Sequence, residues 1–321
     1  MYFGSVRFFK NLIFLAVCVL IFTPTLLAVQ LYRQVEQSAS ASAPSPEQAD
    51  DAPELGSPGA VFEPDASSPT LSGSAQGPDG GRGVPLSADP PDYENLYPDF
   101  YAPQPYAATE RAENTIYLTF DDGPSDRTDE ILAVLAEKNV KATFFVTGKS
   151  NEKDLERMRR IVDEGHTIGM HSYSHVYATV YASVEGFLDD FYKNFVQIRE
   201  ATGQSPTVFR FPGGSINGYD GGFYKEIISE MIRRGFVPFD WNISSEDAVT
   251  TRIQSANTLT ANVVRGARGK VRGFVLFHDS ETKTTTPRAL ASTIDQLRAM
   301  GFDFSAITPT TLPVLYNYEY Q

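Results

Sequence analysis

Cysteine is nearly missing from this 321-residue sequence, and so is any surplus of positive charge. The sole cysteine, Cys18, lies in an apolar run near the N-terminus. Everything after that run is without thiols, which excludes a disulfide framework or a thiolate metal site there. Stability of the remainder has to come from a hydrophobic core, which a stretch of roughly 200 residues can bury. Lys and Arg number 27 against 40 Asp and Glu, a formal net charge of −13. No basic nucleic-acid surface is indicated, and no nucleic acid is expected as a partner. Histidine is scarce as well, and the four present are few enough for each to be placed. No internal repeat is visible, so a solenoid or propeller is not expected.

The apolar run itself, Leu12 to Tyr32, follows Arg7 and Lys10. At about 21 residues it is long enough to cross a hydrocarbon core, whereas a signal-peptide core usually has about 7–15. Positive charge before it and acidic bulk after it put the short N-terminus in the cytoplasm and the rest outside. The expectation is a signal-anchor over residues 1–35, a single-pass helix in the cell membrane with the remaining chain extracellular and facing a wall. A cleaved signal ending at Ala39-Ser-Ala41 is the alternative.

Residues 36–113 read as an acidic Pro/Ser/Ala/Gly-rich linker, with no composition from which a core could be packed. They carry 14 acids against Arg82 and Arg111, so the chain's acidity belongs largely here. Some 75 residues of flexible coil have a reach of roughly 45–50 Å. The aromatic patch Tyr93–Tyr106 could instead pack on the following domain.

From Asn114 the pattern alternates short apolar runs with helical stretches, which argues for parallel β/α architecture in a domain spanning 114–321. The expected strands are Thr115–Phe120, Ala142–Thr147, His166–Met170, Thr207–Phe211, Phe236–Trp241, Gly273–Phe277 and Phe302–Ile307. Helices are expected over Arg127–Lys138, Glu152–Glu164, Val184–Ala201, Gly222–Arg234, Thr251–Arg265 and Thr286–Met300. Seven strands with six intervening helices suggest a barrel rather than an open sheet.

Chemistry gathers at the strand ends. Asp121 and Asp122 stand at the abrupt C-terminal end of the first strand, before Gly123-Pro124. Neighbouring residues on a strand point to opposite faces, and two close carboxylates repel unless a cation or distinct roles separate them. His171-Ser-Tyr-Ser-His175 follows the third strand, a spacing that lets two imidazoles converge on one cation. Two histidines and a carboxylate would make an open metal site. Arg210-Phe-Pro-Gly-Gly-Ser215 ends the fourth strand, with a guanidinium able to bridge a carboxylate and glycines that let backbone N–H approach a substrate. Asp240-Trp-Asn-Ile-Ser-Ser-Glu-Asp247 ends the fifth, and Leu276-Phe-His278-Asp279 the sixth. His166 opens a strand at the other end and reads as structural. Each stretch alone has a bland reading as turn, ion pair or core; five at five C-terminal strand ends do not.

In their order and spelling these stretches resemble the polysaccharide deacetylases of the NodB-homology group, carbohydrate esterase family 4. The resemblance covers about Asn114 to Ile307. It implies an α/β fold, a distorted (β/α)7-type barrel, that removes acetyl groups from N-acetylated sugars with a divalent metal, zinc foremost, with cobalt, nickel or manganese as alternatives. It further implies Asp121 as catalytic base, and Asp122, His171 and His175 as metal ligands. Arg210 would orient Asp121, and Gly213 would offer its backbone N–H to the oxyanion. Asp247 would tune His278, the general acid. Leu276 would line the acetyl pocket, with Trp241 beside the substrate. Two departures bear on the substrate groove: the Gly213 position often carries an aromatic residue, and the tryptophan that often follows the Asp247 position is Ala248.

The anchor points to a wall polymer as substrate, N-acetylglucosamine of peptidoglycan first. N-acetylmuramic acid, chitin-like oligosaccharide, poly-N-acetylglucosamine and O-acetylated xylan stand behind it. A non-catalytic glycan-binding module tethering wall to membrane is the competing class. A glycosidase fits poorly, since adjacent Asp121 and Asp122 cannot easily flank a glycosidic bond from both faces.

Overall fold

A computed structural model describes residues 91–219, 222–249 and 252–316 of the chain. The expected anchor, and the linker as far as residue 90, lie outside the described residues. Among the described residues no helix is long and apolar enough to cross a membrane.

Eight strands form one sheet: β1 Thr115–Asp121, β2 Thr143–Thr147, β3 Thr167–Ser172, β4 Val208–Phe209, β5 Val237–Pro238, β6 Ile243–Ser244, β7 Arg272–His278 and β8 Asp303–Phe304. Their order is β5-β4-β3-β2-β1-β7-β6, and β8 pairs with the start of β1. All the pairings are parallel. The end strands β5 and β6 do not pair among the described residues, so the barrel is distorted, a curled sheet with a seam. At that seam the Asp240 N–H donates to Val314 O (2.8 Å), bringing the last described segment against the sheet. The eighth strand, β6, is the one that the sequence does not reveal, because two residues carry no readable period.

The connecting helices are α1 Asp126–Glu137, α2 Glu152–Asp163, the single turn α3 Tyr177–Val180, α4 Val184–Thr202, α5 Tyr224–Arg233, α6 Ala256–Ala267 and α7 Thr286–Ala299. Side-chain caps fix several starts by accepting otherwise orphaned N–H groups. Ser125 accepts from Arg127 N–H, Asn151 from Asp154, Ser183 from Gly186 and Ser255 from Thr258. α4 stops at Gly203, whose φ of 72° suits glycine.

Alternation along the strands divides the core in two. Ile116, Leu118, Phe120, Phe144 and Val146 pack outward against helix residues such as Ile131, Leu135 and Ile161. Tyr117, Phe145, Val208, Phe239 and Phe274 face the other way, into a second cluster that contains no helix residue. That inner row runs Tyr117, Thr119, Asp121 along β1, so the inner core ends at a carboxylate.

The aromatic segment ahead of Asn114 packs on the domain. Phe100 is fully buried beside Phe195 and Phe236, with ring centroids 5.2 and 4.9 Å away, a burial that contributes about 1.5–3 kcal/mol. The Arg234 guanidinium donates to the carbonyls of Tyr93, Leu96, Tyr97 and Phe100 at 2.9–3.3 Å. The packed unit therefore begins before Asn114.

Candidate active site

Parallel pairing brings the chemistry-bearing residues to one rim. Asp121 at the end of β1 is in register with His278 at the end of β7. Asp121 is buried, and Arg210, immediately after β4, reaches it with Nη1 2.9 Å from Oδ1. The same guanidinium donates to Thr119 Oγ1 (2.7 Å) and to the carbonyls of Phe239 and Asp240 (both 3.0 Å). It lies 4.4 Å from the Phe145 ring centroid. Every face of this fully buried cation is thus matched, as burial of a charge requires.

Asp122 adopts φ 74°, a left-handed conformation that costs a non-glycine residue roughly 1–2 kcal/mol. That turn explains how two consecutive carboxylates serve one site: on a regular strand they would diverge. Asp122 Oδ1 lies 3.5 Å from His171 Nε2 and 3.3 Å from His175 Nε2. His175 is left-handed as well, at φ 53°. Its loop is drawn in by Asp190 of α4, which accepts from Ser172 Oγ and from the N–H groups of Tyr173 and Ser174 at 2.6–2.9 Å.

The donor atoms of Asp122, His171 and His175 lie within 4.8 Å of one another, as metal ligands do. Tetrahedral zinc with bonds of about 2.0–2.1 Å separates its ligands by about 3.3–3.4 Å, close to the two distances found. His171 Nδ1 lies 3.0 Å from the Arg210 carbonyl, to which it donates, leaving the Nε2 lone pair toward the cluster. Burial lowers the His175 pKa, which favours the neutral imidazole that can ligate. Burial acts to raise the Asp122 pKa. Whenever the surrounding imidazoles are protonated, the His171 hydrogen bond first and then the charges of His171, His278 and His175 overcome it and hold the carboxyl well below its usual range. A cation in the same place acts with the same sign. The donor set therefore fits a divalent metal.

His278 Nδ1 lies 2.7 Å from Asp247 Oδ1. Burial acts to lower the His278 pKa, but hydrogen bonding and charge from Asp247 outweigh it, and the net shift is upward. For Asp247, burial acts upward and the His278 hydrogen bond downward, with a net lowering. Both directions describe an imidazolium–carboxylate pair.

A cavity of about 270 Å³ joins these groups. Gly213, Leu276, Trp241 and Ala248 line it, together with Tyr177 and Lys283. The Gly213 N–H donates to no group among the described residues. His166 stands apart, buried, its Nδ1 3.1 Å from the Ala142 N–H, and is structural as expected.

Several residues at the rim escape sequence reasoning. Asp240, pushed up in pKa by burial, accepts from the N–H groups of Ser215 and Tyr316, both at 2.8 Å, and so pins the loop that carries Gly213. Asp279 accepts from Thr128 Oγ1 at 2.7 Å, and a Cβ on Gly123 would collide with its carboxylate. Its place next to His278 was the only signal. Nothing local distinguishes Asp190 or Tyr177 from any other residue on a helix.

A parallel, curled β/α sheet with an Asp-His-His ligand set at its C-terminal rim defines a class of metal-site proteins built on a distorted (β/α) barrel. The family model described as Polysaccharide deacetylase matches residues 108–221. A peptidoglycan-N-acetylglucosamine deacetylase of Bacillus cereus is 31% identical over 218 residues, 64% of this chain and 72% of that protein. The catalytic domain of peptidoglycan N-acetylglucosamine deacetylase from Eubacterium rectale superposes with a TM-score of 0.62 at 32% identity, covering 67% of this chain and 97% of that one. The peptidoglycan-N-acetylglucosamine deacetylase PgdA of Listeria monocytogenes is 32% identical over 66% of this chain, which spans 41% of that protein's length. The chain belongs to the polysaccharide deacetylase family.

Proposed function

We propose that this chain is a metal-dependent hydrolase that removes N-acetyl groups from a cell-wall polysaccharide, the N-acetylglucosamine of peptidoglycan. The observation that carries this reading is the pair Asp121 and His278, facing one cavity from adjacent strands, each held by its own partner beside a three-ligand site. Names of relatives from Bacillus, Listeria and Eubacterium support peptidoglycan as the substrate.

Asp122, His171 and His175 would hold the metal, zinc by the nitrogen-rich donor set. When bound, it supplies Lewis acidity toward the amide carbonyl. Asp121 takes the proton of the attacking water as general base; Arg210 holds its Oδ1, leaving Oδ2, 3.9 Å from His171 Nε2, to face the site. The Gly213 N–H steadies the developing oxyanion. His278, with Nδ1 engaged by Asp247, gives its Nε2 proton to the departing sugar nitrogen, leaving acetate and a free amine. Leu276 and Trp241 bound the acetyl group and sugar.

The run Leu12 to Tyr32 would anchor the chain in the cell membrane with the catalytic domain outside, supported by the basic residues before it and the acidic ones after. Protease added to intact cells should then remove the domain; complete protection would rule this orientation out.

The decisive experiment incubates the full chain, in detergent, with peptidoglycan and N-acetylglucosamine oligomers, with zinc and with chelator. Metal-dependent losses of roughly 42 Da per sugar, an acetyl group exchanged for hydrogen, establish the reaction, and the fragment carrying the loss names the sugar. Glycan binding with no loss would favour the tethering module instead.

A further inference from the structure

Tyr177 occupies a place in the cavity that the chemistry above does not use. It belongs to α3, two residues after His175, and its ring stands edge-on to His175 with centroids 5.6 Å apart and planes at 88°. On its other side Tyr219, an exposed aromatic, approaches edge-on at 5.0 Å. Gly213 has no side chain to contribute to this wall. A Cβ built there, at φ 78°, would lie 3.0 Å from the Tyr177 hydroxyl oxygen and 3.2 Å from Cε1. The volume a residue-213 side chain would enter is therefore already filled by the Tyr177 ring edge. The contact is fixed from both sides, because the Tyr181 hydroxyl, one turn along, donates to the Pro212 carbonyl at 2.7 Å. Tyr177 itself is half-buried, and its hydroxyl is hydrogen-bonded to no group among the described residues. Open to the cavity rather than sealed in the core, that hydroxyl is free to donate to a bound molecule, and it shares the lining with Asp121, His171 and His278.

We infer that Tyr177 is a substrate-positioning residue, whose ring forms the wall left open by Gly213 and whose hydroxyl donates a hydrogen bond to an oxygen of the bound N-acetyl sugar. The ligand class is a pyranose, whose C–H faces pack on aromatic rings and whose oxygens accept hydrogen bonds. The inference rests on the deacetylase reading for the identity of that sugar.

The test compares wild type, Tyr177→Phe and Tyr177→Ala as full chains. Three quantities are read: zinc content, affinity for the N-acetylglucosamine tetramer by calorimetry in chelator, and acetate release with zinc. Removing the hydroxyl alone is expected to lower affinity and kcat/KM about three- to tenfold, the loss of one neutral hydrogen bond. Removing the ring as well is expected to lower both further, in KM more than in kcat, with zinc content unchanged. Acetate release and binding that are equal in all three proteins would overturn the inference while leaving the deacetylase reading intact. Loss of zinc from Tyr177→Ala with Tyr177→Phe unaffected would overturn it too, since the ring would then act only through His175. Tyr177-dependent binding without acetate release from wild type would support the inference and sink the deacetylase reading. Neither binding nor release by wild type would sink both.

Discussion

His278 and Asp247 are joined twice: the ring Nδ1 lies 2.7 Å from Oδ1, and the His278 backbone N–H donates to Oδ2 at 2.9 Å. A general acid works while protonated, so activity is present below its pKa and lost as pH rises through it. Because Asp247 raises the His278 pKa, the alkaline limb of kcat is expected above 6.5, the ordinary histidine value. Asp247→Asn should move that limb toward acid pH and lower its plateau. A limb that stays in place in the kcat–pH profile would remove His278 from the role of acid.

Asp121 and His171 should separate turnover from metal binding. Asp121→Asn keeps all three candidate ligands, so zinc content should hold while kcat falls about 10²–10⁴-fold, the usual contribution of a positioned base. His171→Ala removes a ligand and should lose both. Metal analysis beside acetate release reads the two; full activity in either variant would contradict the assignment.

Arg210→Met should be costly for folding as well as for catalysis. It strands Asp121, a buried carboxylate, without its cation and leaves the Phe239 and Asp240 carbonyls without a donor. Breaking a buried pair from one side costs about 3–5 kcal/mol, measurable by denaturant unfolding. A loss below about 1 kcal/mol, the surface-pair range, would mean that the interior reorganises around the gap.

His166 ties stability to pH independently of the active site. Burial, with the Lys141 charge, lowers its pKa to about 4. Its neutral form is favoured by folding, so this contribution is intact above about pH 6.5, the unfolded value, and lost as pH falls toward 4. His166→Leu should flatten the pH dependence of Tm in that window relative to wild type. Identical slopes would show that the imidazole titrates without linkage to folding.

The large periodic elements were legible because they are long. Thr115–Phe120 and Gly273–Phe277 fall within a residue of β1 and β7, and five of the six longer helices lie within two residues of their expected ends, whereas the one expected from Thr251 starts at Ala256, after the Ser255 cap. The candidate site was legible for a different reason: parallel strands deliver their C-terminal ends to one rim, so Asp121, His171, Arg210, Asp247 and His278 could be grouped without knowing any distance. What stayed hidden depends on direction rather than position. Sequence could not tell that Asp122 turns left-handed and swings toward His175, that Asp190 faces the histidine loop, or that Tyr177 reaches across to Gly213. Two-residue β6 was too short to signal itself.

Arg210 touches the two halves of the chemistry with different parts of itself: its carbonyl meets His171 Nδ1, and its guanidinium meets Asp121. Ligand and base thus share one anchor point. A displacement of that residue would therefore move ligand and base in the same direction. Precision at the reacting atoms then needs no stiff loop on each side, only one residue stiff enough to be a common reference.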